Sequence, residues 1–281
     1  MTSPTARPQG GAAPLAIAQA FVAARRAARP LRDFPGEVPT TLAQGYAIQE
    51  EAIELWGDEI VGWKVGKIPD ELVGPLGQTR VTGPIFREQL WAADADNRNP
   101  VPVFEGGFAA LEAEFVYELL EDAPPAQLDW TLAEAERLKG RMRIGAEMAG
   151  SPLATINELG PTVVAADFGN NNGLILGGPL ADWGAFVDSA FACETYIDGE
   201  RVGQGSAATI PGGPMESVRF LLEHTARRGR PLKAGQLIST GAATGIHDIG
   251  VGQIGRVSFG RHGAVGCRTF AAAAQTGRPE R

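Results

Sequence analysis

Two cysteines in 281 residues leave no material for a disulfide framework. Cys193 and Cys267 sit in apolar, strand-like runs and are expected as buried thiols of a reducing compartment. Histidine is as scarce: His224, His247 and His262 lie far apart and offer no two-ligand spacing for zinc. No apolar stretch approaches the ~18 residues of a membrane span, so no membrane is expected. The stretch from Met1 to Pro14 lacks the basic start and apolar run of a secretory signal, which points to a cytoplasmic protein. Positive charge is in deficit, with a formal net charge of −8, and that argues against a nucleic-acid partner. The pairs Arg25-Arg26 and Arg227-Arg228 read as solvated helix ends, where cations complement the helix dipole.

Glycine (37) and proline (20) are plentiful and favour short strands joined by turns. Residues before Leu15 and after Phe270 read as loose ends. Leu15 to Ala28 carries Ile17, Phe21 and Val22 at helical spacing, and a second helix is expected from Leu42 to Trp56 with a Thr41/Gln44 capping box. Strands follow at Ile60 to Val65 and at Phe108 to Leu119, the latter with strict period two, and then a helix over Leu132 to Lys139. Further strands are expected at Arg143 to Met148 and Gly173 to Leu176, then a hairpin turning on Asp198-Gly199. Pro214 to Arg228 reads as a helix stopped by Gly229, and Leu237 to Thr240, Arg256 to Phe259 and Val265 to Phe270 as closing strands. The expectation is an α+β, β-rich mixed fold with a few helices, not a doubly wound sheet. It divides into residues 12–100, an N-terminal helical region with the first strands, and 101–271, a β-rich core. Gly250-Val251-Gly252-Gln253-Ile254-Gly255 matches a dinucleotide-binding pattern by letter, but it runs into strand-like RVSFG and reads as a glycine-rich turn.

The chemistry concentrates in acids. On a strand, Glu112 and Glu114 face one side and can reach one centre, and Glu147 lies in another short strand among small and apolar residues. Gathered together they would repel, and a divalent cation would relieve that repulsion. An all-oxygen set suits Mg2+ or Mn2+. Spacing alone equally allows the two β-strand acids to line a solvated sheet face.

Motifs in order along the chain add to this reading. Leu111-Glu112-Ala113-Glu114-Phe115 followed by Glu147 resembles the Glu-x-Glu…Glu metal site of the fumarylacetoacetate hydrolase superfamily, in particular its 2-keto-4-pentenoate hydratase family. Gly62-Trp63-Lys64-Val65-Gly66 is similar to the Gly-Trp/Tyr-Lys-x-Gly motif of that group, and Ala166-Asp167-Phe168-Gly169-Asn170 stands where it has Ala-Asp-Asn-Ala-Ser. Ser239-Thr240-Gly241-Ala242 resembles its Leu-Thr-Gly-Ala strand end, and Gly203-Gln204-Gly205-Ser206 before the Pro214 helix matches its layout.

The resemblance implies a fumarylacetoacetate-hydrolase-like core, a metal held by Glu112, Glu114 and Glu147, and a small 2-keto acid substrate that chelates the ion. It further implies catalytic roles for Lys64 and Asp167, substrate contacts from Asn170 and Thr240, and a homo-oligomer. Asp167 could instead brace its loop, and Lys64 read without the motif is an ordinary strand-end lysine. The activity implied is a hydratase of aromatic catabolism, adding water to a 2-hydroxy-2,4-dienoate. The alternatives are a decarboxylase or carbon–carbon hydrolase of the same superfamily, or a non-enzymatic 2-keto-acid-binding subunit. One departure bears on that choice. Members often carry Pro-Asp-Phe/Tyr-Gly after the lysine motif, whereas Arg80-Val81-Thr82-Gly83 stands here, and valine cannot transfer protons. Either another group relays the proton, with Glu105, Asp167 and Lys64 as candidates, or the reaction differs.

Overall fold

The computed structural model describes residues 12–181, 183–184 and 191–275, so the expected loose ends fall mostly outside it. Two helices come first, α1 (Ala12–Ala27) and α2 (Leu42–Trp56), then β1 (Ile60–Lys67), the short α3 (Asp70–Leu76) and β2 (Arg80–Phe86). Strands β3 (Leu90–Ala92) and β4 (Asn99–Val103) precede the long β5 (Phe108–Leu119). Helix α4 (Leu132–Arg137) separates β5 from its partner β6 (Gly140–Ser151), and α5 (Pro161–Ala166) leads into β7 (Asn171–Pro179). The hairpin β8 (Ala192–Ile197) and β9 (Glu200–Ser206) is followed by α6 (Pro214–Arg227). Strands β10 (Leu237–Ala242), β11 (His247–Asp248), β12 (Ile254–Ser258) and β13 (Ala264–Ala271) close the chain.

Local chemistry accounts for several boundaries. Thr41 Oγ1 accepts the Gln44 N–H at 3.3 Å while Gln44 Oε1 accepts the Thr41 N–H at 3.1 Å, so α2 opens on a complete capping box. Asp198 and Gly199 both hold positive φ (51° and 86°), the geometry a two-residue hairpin needs. Gly250 to Gln253 runs straight into β12 with no helix behind it, as the glycine-rich-turn reading requires.

The strands form two sheets. The larger has the order β2-β1-β10-β5-β6-β7-β3, with β11 alongside β5, and the smaller has the order β4-β13-β12-β8-β9. With α1 and α2 ahead of β1 and four shorter helices between later strands, this is the expected α+β architecture of a curled, mostly β core. Two strands that periodicity does not announce, β2 and β4, carry Pro84 and Pro100/Pro102 and lie on sheet edges. Proline is tolerated there because an edge strand has one side without ladder bonds.

Packing corrects two expectations. The acidic side of β5 is not a solvated face: residues 110–117 are all buried, and Glu114 is 0% exposed. Nor is Arg25 a solvated helix end. It is buried, its guanidinium over the rings of Phe104 and Phe168. Arg228, half-buried, ion-pairs with Glu50 and stacks over Tyr46 at 4.5 Å, while Arg227 is exposed as expected. Both cysteines are free and buried, and burial pushes the Cys193 thiol up to about 12 and Cys267 to about 11. Among the described residues, no helix is long and apolar enough to cross a membrane.

Candidate metal centre

The long antiparallel pairing of β5 with β6 brings the acids together. Its register sets Glu112 directly opposite Glu147, and period two puts Glu114 on the same face as Glu112. One carboxylate oxygen from each of the three lies within 4.8 Å of the others. A register shift in β10 between Ser239 and Ala242 frees the backbone at Gly241, whose N–H donates to Glu114 Oε2 at 2.7 Å. Asn171 Nδ2 donates to Glu147 Oε1 at 3.1 Å.

Lys64 enters from β1. Parallel pairing sets it beside Ser239 of β10, and its Nζ reaches Glu147 Oε1 at 3.4 Å. The same ammonium donates to Asn170 Oδ1 at 3.1 Å, and Asn170 Nδ2 donates on to Asn157 Oδ1 at 3.1 Å. Asn170 is held by an unusual turn in which Phe168, Gly169 and Asn170 all take positive φ (54°, 64° and 54°). Gly83 lies flat against this turn: a Cβ there would stand 1.7 Å from the Phe168 carbonyl oxygen, so no side chain fits. Beneath it Phe86 and Phe168 meet at 5.1 Å between ring centroids, with Trp56 5.9 Å from each.

The electrostatics are those of an incomplete site. Burial pushes the Glu112 carboxyl up to about 7, with the Lys64 charge opposing and Glu147 adding. Glu114 is held well above the usual carboxylate range by burial and by the charges of Glu147 and Glu112. Glu147 is raised by burial against the pull of Lys64. For Lys64, burial works against the charged form, but the three carboxylates outweigh it and its pKa rises. Were all three carboxylates ionised, the one ammonium would leave two negative charges in excess, and without a further cation the acids hold their protons more tightly. Glu112 Oε1, Glu114 Oε1 and Glu147 Oε2 are buried without a hydrogen-bond partner. Three orphaned anionic oxygens, one per side chain, fit a hard divalent cation in both charge and donor chemistry.

The remaining expected residues separate. Asn170 and Thr240 line the same cavity of about 590 Å³ as Lys64 and Glu112. The Thr240 hydroxyl donates to the Phe115 carbonyl at 2.7 Å. Asp167 does not line that cavity. Its carboxylate is engaged by Arg25 Nε at 2.6 Å, Arg25 Nη2 at 2.9 Å and Ser151 Oγ at 2.6 Å, the geometry of the loop brace. Glu105 lines a different cavity, beside Asp248 and Gln253. Sequence reasoning overlooked Asn171, Asn157, Gly241 and Arg80. Asn171 directly follows the Ala166–Asn170 motif, Gly241 and Arg80 stand inside stretches whose other residues drew the reading, and only Asn157 comes from a segment that carries no pattern of its own.

A curled sheet with a buried triad of carboxylates beside a lysine defines a class, and comparison with known proteins agrees with it. No protein-family model matches the chain. It is 26% identical over 240 residues to a 2-keto-4-pentenoate hydratase of Paraburkholderia phymatum, covering 78% of this chain and 81% of that one. Its structure is similar to 4-oxalocrotonate decarboxylase from Pseudomonas putida G7 in complex with magnesium and adipate: TM-score 0.75, 23% identity, 92% of this chain and 97% of that one. A fumarylpyruvate hydrolase from Pseudomonas aeruginosa in complex with Mn2+ and pyruvate is similar at TM-score 0.55 and 15% identity, over 75% of this chain and 89% of the other. These likenesses show the fold, a curled, mostly β core of fumarylacetoacetate-hydrolase-like architecture.

Proposed function

We propose that this chain is a divalent-metal-dependent enzyme of small 2-keto diacids, and that its reaction is loss of carbon dioxide. The observation that carries the reading is the trio of orphaned, buried carboxylate oxygens on Glu112, Glu114 and Glu147, with Lys64 3.4 Å from Glu147 and lining one cavity with Glu112. These three side chains would hold Mg2+ or Mn2+, and the bound cation would supply Lewis-acid polarisation of the keto oxygen. Lys64 holds a positive charge beside the oxygen on which negative charge develops, and Asn170 fixes the direction of its ammonium. Thr240 and Asn170 bind the 2-keto acid end, and Asp167 acts at a distance by bracing the turn that presents Asn170. In decarboxylation the bond to the far carboxylate breaks, its electron pair moves through the conjugated chain to the keto oxygen, and a proton from Lys64 returns to carbon.

Two further observations favour decarboxylation over hydration. Adding water calls for a group that places the water and moves its proton. Of the three relays open to a chain with valine at position 81, Glu105 lies in another cavity and Asp167 is tied to Arg25, which leaves Lys64 alone. The structural neighbour that holds magnesium and adipate, itself a diacid, points the same way. Water addition is the second reading, favoured by the hydratase relative.

The test offers the protein, with Mg2+ or Mn2+, either a 4-oxalocrotonate-like diacid or 2-hydroxypenta-2,4-dienoate, and identifies the products by mass. Metal-dependent release of carbon dioxide from the diacid is expected. Addition of water to the dienoate with the diacid untouched would replace this reading with the hydratase.

A further inference from the structure

The cavity carries a second charged feature remote in sequence from the glutamates. Lys67 of β1 and Arg80 of β2 are paired across the ladder, as Lys64 is paired with Gly83, and Arg80 lines the cavity. Three residue steps separate the two positions on β1, about 10 Å along the backbone at ~3.3 Å per residue.

Arg80 is 7% exposed. Its Nε donates to Ser217 Oγ at 3.3 Å, its Nη1 to Thr79 Oγ1 at 3.2 Å and its Nη2 to the Pro211 carbonyl, all neutral acceptors. The carboxylate nearest it among the described ion pairs is Glu216, 4.0 Å from Nη1. That carboxylate is already held by Arg219 through a two-pronged contact at 2.7 and 2.6 Å. Arg80 is thus a nearly buried guanidinium that lines the cavity and, among the described residues, meets no carboxylate in hydrogen-bonding contact. A buried cation held by neutral groups costs free energy that an incoming anion recovers, and the planar guanidinium matches a carboxylate with two parallel donors. Lys67 differs: it is exposed and already closed by Asp70 at 2.9 Å.

We infer that Arg80 is the specificity-determining residue of this cavity, receiving the far carboxylate of a diacid whose 2-keto acid end lies at Lys64 and the three glutamates. The inference rests on the 2-keto acid reading of the site and deepens it. Val81 and Ile68 line the apolar stretch that the carbon chain crosses. Because the far carboxylate is the group that departs, Arg80 acts in binding, and its removal raises KM for the diacid without lowering kcat.

The test uses the Mn2+-loaded full chain and calorimetry with two probes that share the 2-keto acid head, 2-ketoadipate and 2-ketohexanoate. Neither has a far carboxylate conjugated to the keto group, so binding is read without turnover. The unaltered protein should prefer the diacid by about tenfold or more, which is ~1.4 kcal/mol. Arg80→Gln, which keeps hydrogen-bond donors and removes the charge, should reduce that preference to within about twofold. Arg80→Lys, which keeps the charge without the fork, should fall between the two. Equal binding of both probes by the unaltered protein, or an undiminished preference in Arg80→Gln or Arg80→Lys, overturns the role of Arg80 and leaves the 2-keto acid reading standing. Binding of neither probe overturns both.

Discussion

Two buried clusters of charge lie on neighbouring parts of this molecule, and they are built on opposite plans. At Asp167, both carboxylate oxygens are engaged, by Arg25 and Ser151, and Arg25 also donates to the Gly150 carbonyl at 2.9 Å. At the glutamates, each side chain keeps one oxygen without a partner, and a single lysine faces three carboxylates. The first cluster is closed and joins α1 to β6 and to the turn after α5. The second is open, with carboxylate oxygens left to receive the proposed cation. Burial is common to both, so burial does not distinguish a brace from a site. Satisfaction of the polar atoms does.

The comparison breaks most readily at the closed cluster. Arg25→Met leaves the Asp167 carboxylate buried without its cation and is expected to cost about 3–5 kcal/mol of stability. Chemical denaturation measures the loss, and metal affinity of the folded fraction should stay within about threefold. A small stability loss coupled to a collapse in metal binding would instead make Asp167 part of the open site.

The converse substitution is Glu114→Gln. Removing one of three crowded carboxylates relieves repulsion in the metal-free protein, so its melting temperature should hold or rise. Mn2+ affinity read by calorimetry should fall by more than about 100-fold, beyond the loss typical of residues that merely orient ligands. Unchanged affinity would sink the assignment of the centre.

Lys64→Met sharpens the comparison by removing the one cation that faces the open cluster among the described residues. Turnover should drop by at least about tenfold, ~1.4 kcal/mol in the barrier, with the melting temperature of the metal-loaded protein nearly unmoved. Normal turnover with a large loss of stability would return Lys64 to a structural role.

The smallest expected effect is on pH dependence. Burial pushes the Glu112 carboxyl up to about 7 in the folded protein, and Glu114 and Glu147 are also raised by burial, all above the unfolded carboxylate range. Between that range and about 7 the metal-free folded state therefore binds more protons than the unfolded chain, and its stability falls as pH rises. Cation binding runs the other way, because the ligands must shed protons, so affinity climbs through the same window. Calorimetry in buffers of different ionisation enthalpy should report proton release at pH 6 and less of it at pH 8. No proton release at either pH would contradict the raised carboxyls.

Much of this was legible in the chain itself. The period-two run from Phe108 to Leu119 announced β5 and put Glu112 and Glu114 on one face, and Thr41 with Gln44 announced the start of α2. The motifs around Lys64, Asn170 and Thr240 pointed to residues that share one cavity. Edge strands β2 and β4 escaped notice because proline interrupts their alternation, and α3 because Gly74 and Pro75 read as breakers.

The sequence by itself determined the strand period, the caps and turns, and which side chains could carry charge, since these depend on residues a few positions apart. Only the tertiary structure decided which charges meet. The β5–β6 register set Glu147 opposite Glu112, parallel pairing of β1 with β10 brought Lys64 within 3.4 Å of Glu147, and the packing of α1 drew Arg25 off the surface onto Asp167. Each of those contacts joins segments distant in the chain, where no local spacing rule operates and the choice of partner belongs to sheet order and side-chain packing.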